Sequence, residues 1–198
     1  MEANKSYISS LLKDIQSETR EVALMEVCGT HTMAIAKSGI RSLLPPNLRL
    51  LSGPGCPVCV TAQGDIDAVI DLAERPCIIL VTFGDMMRVP GNKSSLQEAR
   101  SRGADVRIAY SPLDAVEIAR QNPEKEVVFL GIGFETTAPA VAISAEKALK
   151  EGLKNYSVLS LHKVVPPALE VIFSDPDIYV DGLICPGHVS IVIGLEPY

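Results

Sequence analysis

Cys77-Ile78-Ile79-Leu80-Val81-Thr82-Phe83, followed at once by Gly84-Asp85, is the stretch from which the fold is read. Its residues are apolar or β-branched with no alternation, so neither face of the segment suits water. Such a run, closed by a glycine turn, reads as a strand buried on both faces. Sheets of strands buried in this way are parallel and covered by helices. These seven residues are also the longest nearly pure apolar run in the chain, far short of the ~20 needed to cross a bilayer as a helix.

Similar runs recur on either side. Strands are expected at 21–27, 48–52, 77–83, 106–110, 127–131, 158–161 and 182–185. Helices are expected at 7–19, 31–38, 62–73, 95–102, 113–121, 138–151 and 167–173. The first helix gathers Ile8, Leu11, Leu12 and Ile15 on one face. Strands alternating with helices predict an α/β fold, with mostly parallel sheets flanked by helices in two related α/β units. Breaks at Pro45-Pro46 and Asn122-Pro123 place an N-terminal helix over 1–20, a first unit over 46–125 and a second, incomplete unit over 21–45 with 126–198. Two internal likenesses suggest the relatedness. Residues 79–90 and 129–139 both pass from an apolar strand through glycine and an acidic residue to proline, while 51–59 and 184–190 both enter a Pro-Gly turn.

Of the 198 residues 47% are hydrophobic, enough to offset the ordering entropy that leaves polar chains disordered. Eighteen Lys and Arg against 24 Asp and Glu give a net charge of −6, which argues against a nucleic-acid partner. The lack of Trp and an aromatic content of 5% argue against a base-stacking platform. Residues 1–20 carry charge throughout and do not resemble a secretory signal, so a cytoplasmic location without a membrane partner is expected. The five cysteines, Cys28, Cys56, Cys59, Cys77 and Cys185, are odd in number and do not read as a disulfide framework. In a reducing compartment they read as catalytic, redox, metal-binding or buried residues.

The chemically suggestive residues follow the strands, where ligands bind in parallel α/β folds. Cys28-Gly29-Thr30-His31-Thr32 places a thiol at a helix start, with His31 as an imidazole ligand or proton carrier; a buried cysteine with a capping threonine is the plainer reading. Gly53-Pro54-Gly55-Cys56-Pro57-Val58-Cys59 holds a C-x-x-C, expected at the start of a helix that lowers the Cys56 pKa. Redox or thiol transfer, a metal site and inert cysteines all fit this pair, although Cys77 and Cys185 do not form the second pair a zinc site needs. In Gly84-Asp85-Met86-Met87-Arg88-Val89-Pro90-Gly91, Asp85 and Arg88 read as partners of each other or of a ligand. Gly131-Ile132-Gly133-Phe134-Glu135-Thr136-Thr137 imitates a dinucleotide loop, but Thr136 occupies the third glycine position. Glu135, Thr136 and Thr137 remain candidates for helix capping or small-ligand binding. His162 and His188 each follow a strand, and a lone histidine there is as readily structural as catalytic.

Together these strings resemble the HypD family of hydrogenase maturation factors. The carriers are Cys28 to Thr32, Gly53 to Cys59, Gly84 to Gly91, Gly133 to Pro139, His162 to Leu169 and Pro186 to Ser190, in that order along the chain. The resemblance implies a scaffold that helps assemble the Fe(CN)2CO unit of [NiFe]-hydrogenases with a HypC-type chaperone and a HypE-type cyanide donor. It implies that Cys28 holds the iron together with a chaperone cysteine, that Cys56 and Cys59 act as a redox dithiol, and that His31 and Glu135 lie near that site. Thr30, Thr32, Asp85, Arg88, Thr136, Thr137, His162 and His188 become supporting candidates. The three sulfurs of Cys28, Cys56 and Cys59 are expected to converge on one pocket. The family also carries a [4Fe-4S] cluster in a C-terminal region, whose cysteine ligands are not among the five present. Two other readings remain open: a stand-alone thiol-disulfide oxidoreductase, which needs only Cys56 and Cys59, and a partner-binding fragment without activity.

Overall fold

The computed structural model describes residues 2–198. In chain order its elements are α1 Glu2–Gln16, β1 Val22–Glu26, α2 Gly29–Ser38, β2 Leu48–Ser52, α3 Gln63–Ala73, β3 Ile78–Thr82, α4 Leu96–Ser101, β4 Val106–Ile108, α5 Pro112–Gln121, β5 Glu126–Gly131, α6 Ala138–Lys150, β6 Tyr156–Ser160, α7 Val165–Phe173, β7 Gly182–Ile184 and α8 Gly187–Ile193. Short 3-10 turns occupy Ile40–Leu43 and Gly84–Arg88. Every expected strand is present, and all pairing between strands is parallel. The N-terminal helix expected over 1–20 is α1; Met1 lies outside the described residues. Helix α8 was not expected, because Pro186-Gly187 reads as a turn and seven residues are too few to show a helical period. Among the described residues no helix is long and apolar enough to cross a membrane.

The chain divides into two compact units, Met1–Cys56 with Val165–Tyr198, and Pro57–Val164. In the first, β1 lies between β2 and β7. Val22 to Glu26 stand opposite Leu48 to Ser52, and Leu24 to Glu26 stand opposite Gly182 to Ile184.

In the second unit the strand order is β4-β3-β5-β6. The decisive apolar run lies inside it, with Ile79, Leu80 and Val81 fully buried. Leu80 packs on one face with Ile66, Val69 and Ile70 of α3 and Leu96 and Ala99 of α4. Ile79 and Val81 pack on the other with Phe129, Ala115 and Ala119 of α5 and Val141 of α6. Burying each large aliphatic side chain contributes about 1.5–3 kcal/mol, which is why a run with no polar face becomes the inner strand. Helices α4 and α5 start at Ser95 and Ser111, each closing a capping box with Glu98 or Asp114.

These boundaries differ from the division read at Pro45-Pro46 and Asn122-Pro123. Residues 126–160 share a sheet with 78–108, because β5 is apolar over Val127 to Leu130 and pairs with β3 as an equally buried neighbour. Asn122 ends α5 inside the unit, where the Asn155 amide lies 2.9–3.0 Å from the carbonyls of Ala119, Asn122 and Lys125. The internal likenesses also fall within sheets. Residues 79–90 and 129–139 follow β3 and β5, while 51–59 and 184–190 follow β2 and β7. They repeat a strand-to-loop transition rather than relate one unit to the other.

Phe129 is fully buried and meets Phe83 edge-on, with ring centroids 5.4 Å apart. Phe129→Ala is expected to lower stability by about 3–5 kcal/mol through a cavity between β5 and its covering helices. Urea unfolding followed by circular dichroism measures this; a loss below about 1 kcal/mol contradicts the assigned packing.

Candidate functional site

Parallel pairing puts the carboxyl ends of β2, β1 and β7 at one edge of the first unit's sheet, and a motif loop leaves each of them. Cys28 follows β1, is 9% exposed and stands at the N-cap of α2. Its backbone, at φ 143° and ψ 132°, is the only positive φ of a non-glycine residue among those described. L-residues rarely occupy this region, and such strain persists only where the surroundings enforce it. Here the Cys28 carbonyl accepts the N–H groups of His31 and Thr32, at 3.0 and 3.2 Å. The thiol does not cap the helix. Its sulfur lies 2.7 Å from Thr30 Oγ1 and 3.8–3.9 Å from the two ring nitrogens of His188.

The imidazole at this sulfur is therefore His188, from the first turn of α8, 160 residues along the chain. Sequence proximity favoured His31, but no hydrogen bond links its ring to Cys28, and its Nδ1 is buried without a hydrogen-bond partner. Thr32 donates to Glu26 rather than to the thiol.

The Cys56 loop meets the Cys28 loop through backbone. Gly29 N–H donates to the Gly55 carbonyl at 3.2 Å, and a Cβ on Gly55 would stand 3.0 Å from the Gly29 nitrogen. Glycine at both positions permits this crossing, which joins the residue after Cys28 to the residue before Cys56. The expectation that the C-x-x-C opens a helix is corrected. Helix α3 begins at Gln63 with Ala62 as its N-cap, and Pro57 to Val60 form a turn closed by the Thr61 hydroxyl on the Pro57 carbonyl at 2.9 Å. Cys56 thus precedes the first residue of α3 by seven positions and does not open that helix.

One residue beneath these loops escaped the sequence reading. Glu26, at 0% exposure, ends β1. The Thr32 hydroxyl donates to both carboxylate oxygens at 2.9 and 3.0 Å, Ser52 Oγ donates to Oε1 at 2.7 Å, and the Arg41 guanidinium stands 3.8 Å from Oε1. Arg41 also donates to Ser52 Oγ at 3.2 Å. The available signal was a carboxylate inside an apolar strand two residues before a motif cysteine. A buried charge needs partners, and those partners mark a built network.

Cys59, Asp85, Arg88, Glu135, Thr136, Thr137 and His162 belong to the second unit. Its chain order reverses between β3 and β5, and the loops leaving these strands carry Asp85 with Arg88 and Glu135 with the threonines. Asp85 and Arg88 do not pair; Asp85 Oδ1 instead accepts the Met86 N–H at 3.0 Å. Glu135 is 7% exposed. Thr137 stands at the N-cap of α6 without capping it, because its hydroxyl donates back to the Phe134 carbonyl at 3.0 Å; Thr136 is exposed. His162 Nδ1 lies 2.9 Å from Ser160 Oγ, its Nε2 is buried without a hydrogen-bond partner, and burial pushes its pKa below the ordinary imidazole value.

Among the described residues no three His, Cys, Asp or Glu side chains gather as a metal site. Cys28 with His188 offers two donors of the kind a thiophilic metal accepts.

Comparison with known proteins agrees with the motif strings. A family model described as HypD, hydrogenase formation hypA family, matches residues 4–198. The hydrogenase maturation factor HypD of Rhodobacter capsulatus is 50% identical over 90% of this chain and 48% of its own length. The same factor from Escherichia coli K12 is 48% identical over 90% of this chain and 48% of its own. That of Rhizobium leguminosarum is 49% identical over 96% and 53%. The chain thus spans about half the length of the curated relatives it matches.

Histidine ring titration by NMR is expected to place the His162 midpoint below 6.5. The folded chain then keeps this ring neutral where the unfolded chain binds a proton. Its contribution to stability is fully present above pH 6.5 and declines as pH falls below that value. His162→Gln is expected to remove this share of the acid sensitivity, and an unshifted midpoint contradicts the burial.

Proposed function

The chain belongs to the HypD family, and on that premise we propose that it serves as a scaffold in building the Fe(CN)2CO group of [NiFe]-hydrogenases. Iron is the cargo, held by the Cys28 thiolate together with a cysteine of a HypC-type chaperone, while a HypE-type partner delivers cyanide. The observation that carries this reading is the Cys28 sulfur, fixed by a strained backbone at the end of β1 with His188 3.8 Å away.

The chemistry follows from the local groups. A thiol becomes a metal ligand by losing its proton, and the His188 ring is placed to receive it. The Thr30 hydroxyl, 2.7 Å from the sulfur, donates a hydrogen bond to the thiolate so formed. Cyanide and carbonyl make iron low-spin and soft, which thiolate suits. Two donors do not fill a coordination sphere, and this supports cargo shared with a partner that supplies the rest.

Cys56 and Cys59 are assigned the redox role. Joining two thiols as a disulfide releases two electrons and two protons, and the reverse step consumes them. The Gly29–Gly55 contact, which brings the Cys56 loop to the Cys28 loop, supports service of the Cys56 thiol to the same cargo. Glu135 and His31 are assigned proton movement or orientation of cyanide, on their match to family motifs. None of these steps uses a nucleotide.

Cys28→Ala is expected to abolish iron retention by the anaerobically purified complex with a HypC-type chaperone. Iron analysis and the infrared bands of iron-bound cyanide and carbonyl read this directly, and iron held at the unsubstituted level removes Cys28 from its role. The same preparation without partners is expected to turn over a generic disulfide slowly; fast turnover favours the stand-alone oxidoreductase reading.

A further inference from the structure

The geometry points to Glu26 as a positioning residue that sets the Cys28 loop and the Cys56 loop relative to each other. This inference rests on the reading of Cys28 as the iron-holding thiol. Glu26 touches neither sulfur. Its carboxylate instead receives hydroxyl groups from the elements that carry both loops. Thr32 belongs to the first turn of α2, the helix that Cys28 opens, and its N–H is already bonded to the Cys28 carbonyl at 3.2 Å. Ser52 is the last residue of β2, four positions before Cys56. Thr32 reaches Glu26 at 2.9–3.0 Å and Ser52 at 2.7 Å, so one side chain fixes both approaches. The Glu26 carbonyl adds a third tie, accepting the Gly53 N–H at 2.8 Å.

The arrangement is more than a packed strand residue requires. Glu26 is fully buried, and an apolar side chain of its size would fill the same volume without a desolvation penalty. The site keeps a carboxylate there and surrounds it with three side chains from α2, β2 and the Ile40–Leu43 turn. Arg41 both faces the carboxylate and donates to Ser52 Oγ, leaving the Ser52 proton directed at Glu26. Partners that orient a ligand-bearing loop act on a metal through its geometry, and their loss typically lowers metal affinity by about 10–100-fold.

The test measures local accessibility in the reduced chain, without iron or partners, so it is independent of whether Cys28 holds iron. Iodoacetamide alkylation is followed by peptide mass mapping, with the exposed Cys77 as internal reference. Thr32→Val is expected to raise alkylation of Cys28 alone, and Ser52→Ala that of Cys56 alone. Glu26→Ala is expected to raise both, each at least as much as the corresponding single variant, with Cys77 unchanged. Glu26→Gln, whose amide oxygen still accepts one hydroxyl, is expected to fall between Glu26→Ala and the unsubstituted chain. Where Glu26→Ala does not fold, the Thr32 and Ser52 variants carry the test. Unchanged alkylation of Cys28 and Cys56 overturns the inference. Equal rises at Cys28 and Cys56 in both Thr32→Val and Ser52→Ala, with a lower unfolding midpoint, also overturn it, since they mark general loosening of the unit rather than separate ties to each loop. A second arm measures iron in the chaperone complex. Loss of iron in Glu26→Ala and in Cys28→Ala extends the positioning role to the cargo. Iron kept in Cys28→Ala but an alkylation pattern as expected defeats the iron reading and leaves the positioning role standing.

Discussion

The register of β1 against its two neighbours is the constraint on which the first unit's site depends. Glu26 stands opposite both Ser52 and Ile184, so three parallel strands end level with one another. The loops that follow then leave from one line, a few ångströms apart, although their residues lie near positions 28, 55 and 188. A slip of one residue would turn Glu26 and Cys28 to the opposite face of the sheet and separate the thiol from His188. The Gly29–Gly55 contact draws this line tighter, and it tolerates no side chain at the crossing without displacement of backbone.

Two unfavourable features lie next to each other on that line. Cys28 has a backbone conformation that L-residues avoid, and Glu26 is a carboxylate removed from water. Each is offset locally. The first turn of α2 bonds back to the Cys28 carbonyl and holds the strained torsion, while hydroxyls from α2 and β2 with the Arg41 guanidinium satisfy the carboxylate. Thr32 takes part in both, through its N–H to Cys28 and its hydroxyl to Glu26. Strain at the thiol and burial of the charge are thus one construction.

Much of this was legible before any coordinates. The strands at 78–82 and 126–131 declare themselves because a residue buried on both faces must be apolar on both, and no other element writes that pattern in so few residues. The placement of motif loops at strand ends also carried over, since a parallel sheet leaves polar, glycine-bearing turns at its carboxyl edge. Pairing across distance was not legible. Nothing local to His188 says that its ring faces Cys28 rather than solvent, and nothing local to His31 says that it does not. The pairing of β5 with β3 was not legible for the same reason. Asn122-Pro123 looks like a boundary by composition, yet it ends a helix whose next strand returns to the same sheet. Glu26 was passed over because an isolated charge in a strand is ordinarily a solvated residue, and only its partners in space distinguish it.

One thiolate with one imidazole nearby is a sparse donor set, which bears on the scaffold role proposed above. A metal that stays and turns over substrate is commonly closed in by ligands from its own chain, with one position open. A carrier must instead load its metal, present it for ligand addition and give it up, which a full set of protein ligands would oppose. On the proposed scaffold role, one thiolate with one imidazole nearby would leave most of the coordination sphere to groups from outside the chain. Precision at such a site has to come from the groups that hold the single thiol in place rather than from additional metal ligands. The strained Cys28 backbone, the Gly29–Gly55 crossing and the buried carboxylate of Glu26 are the local features around Cys28 that could do so.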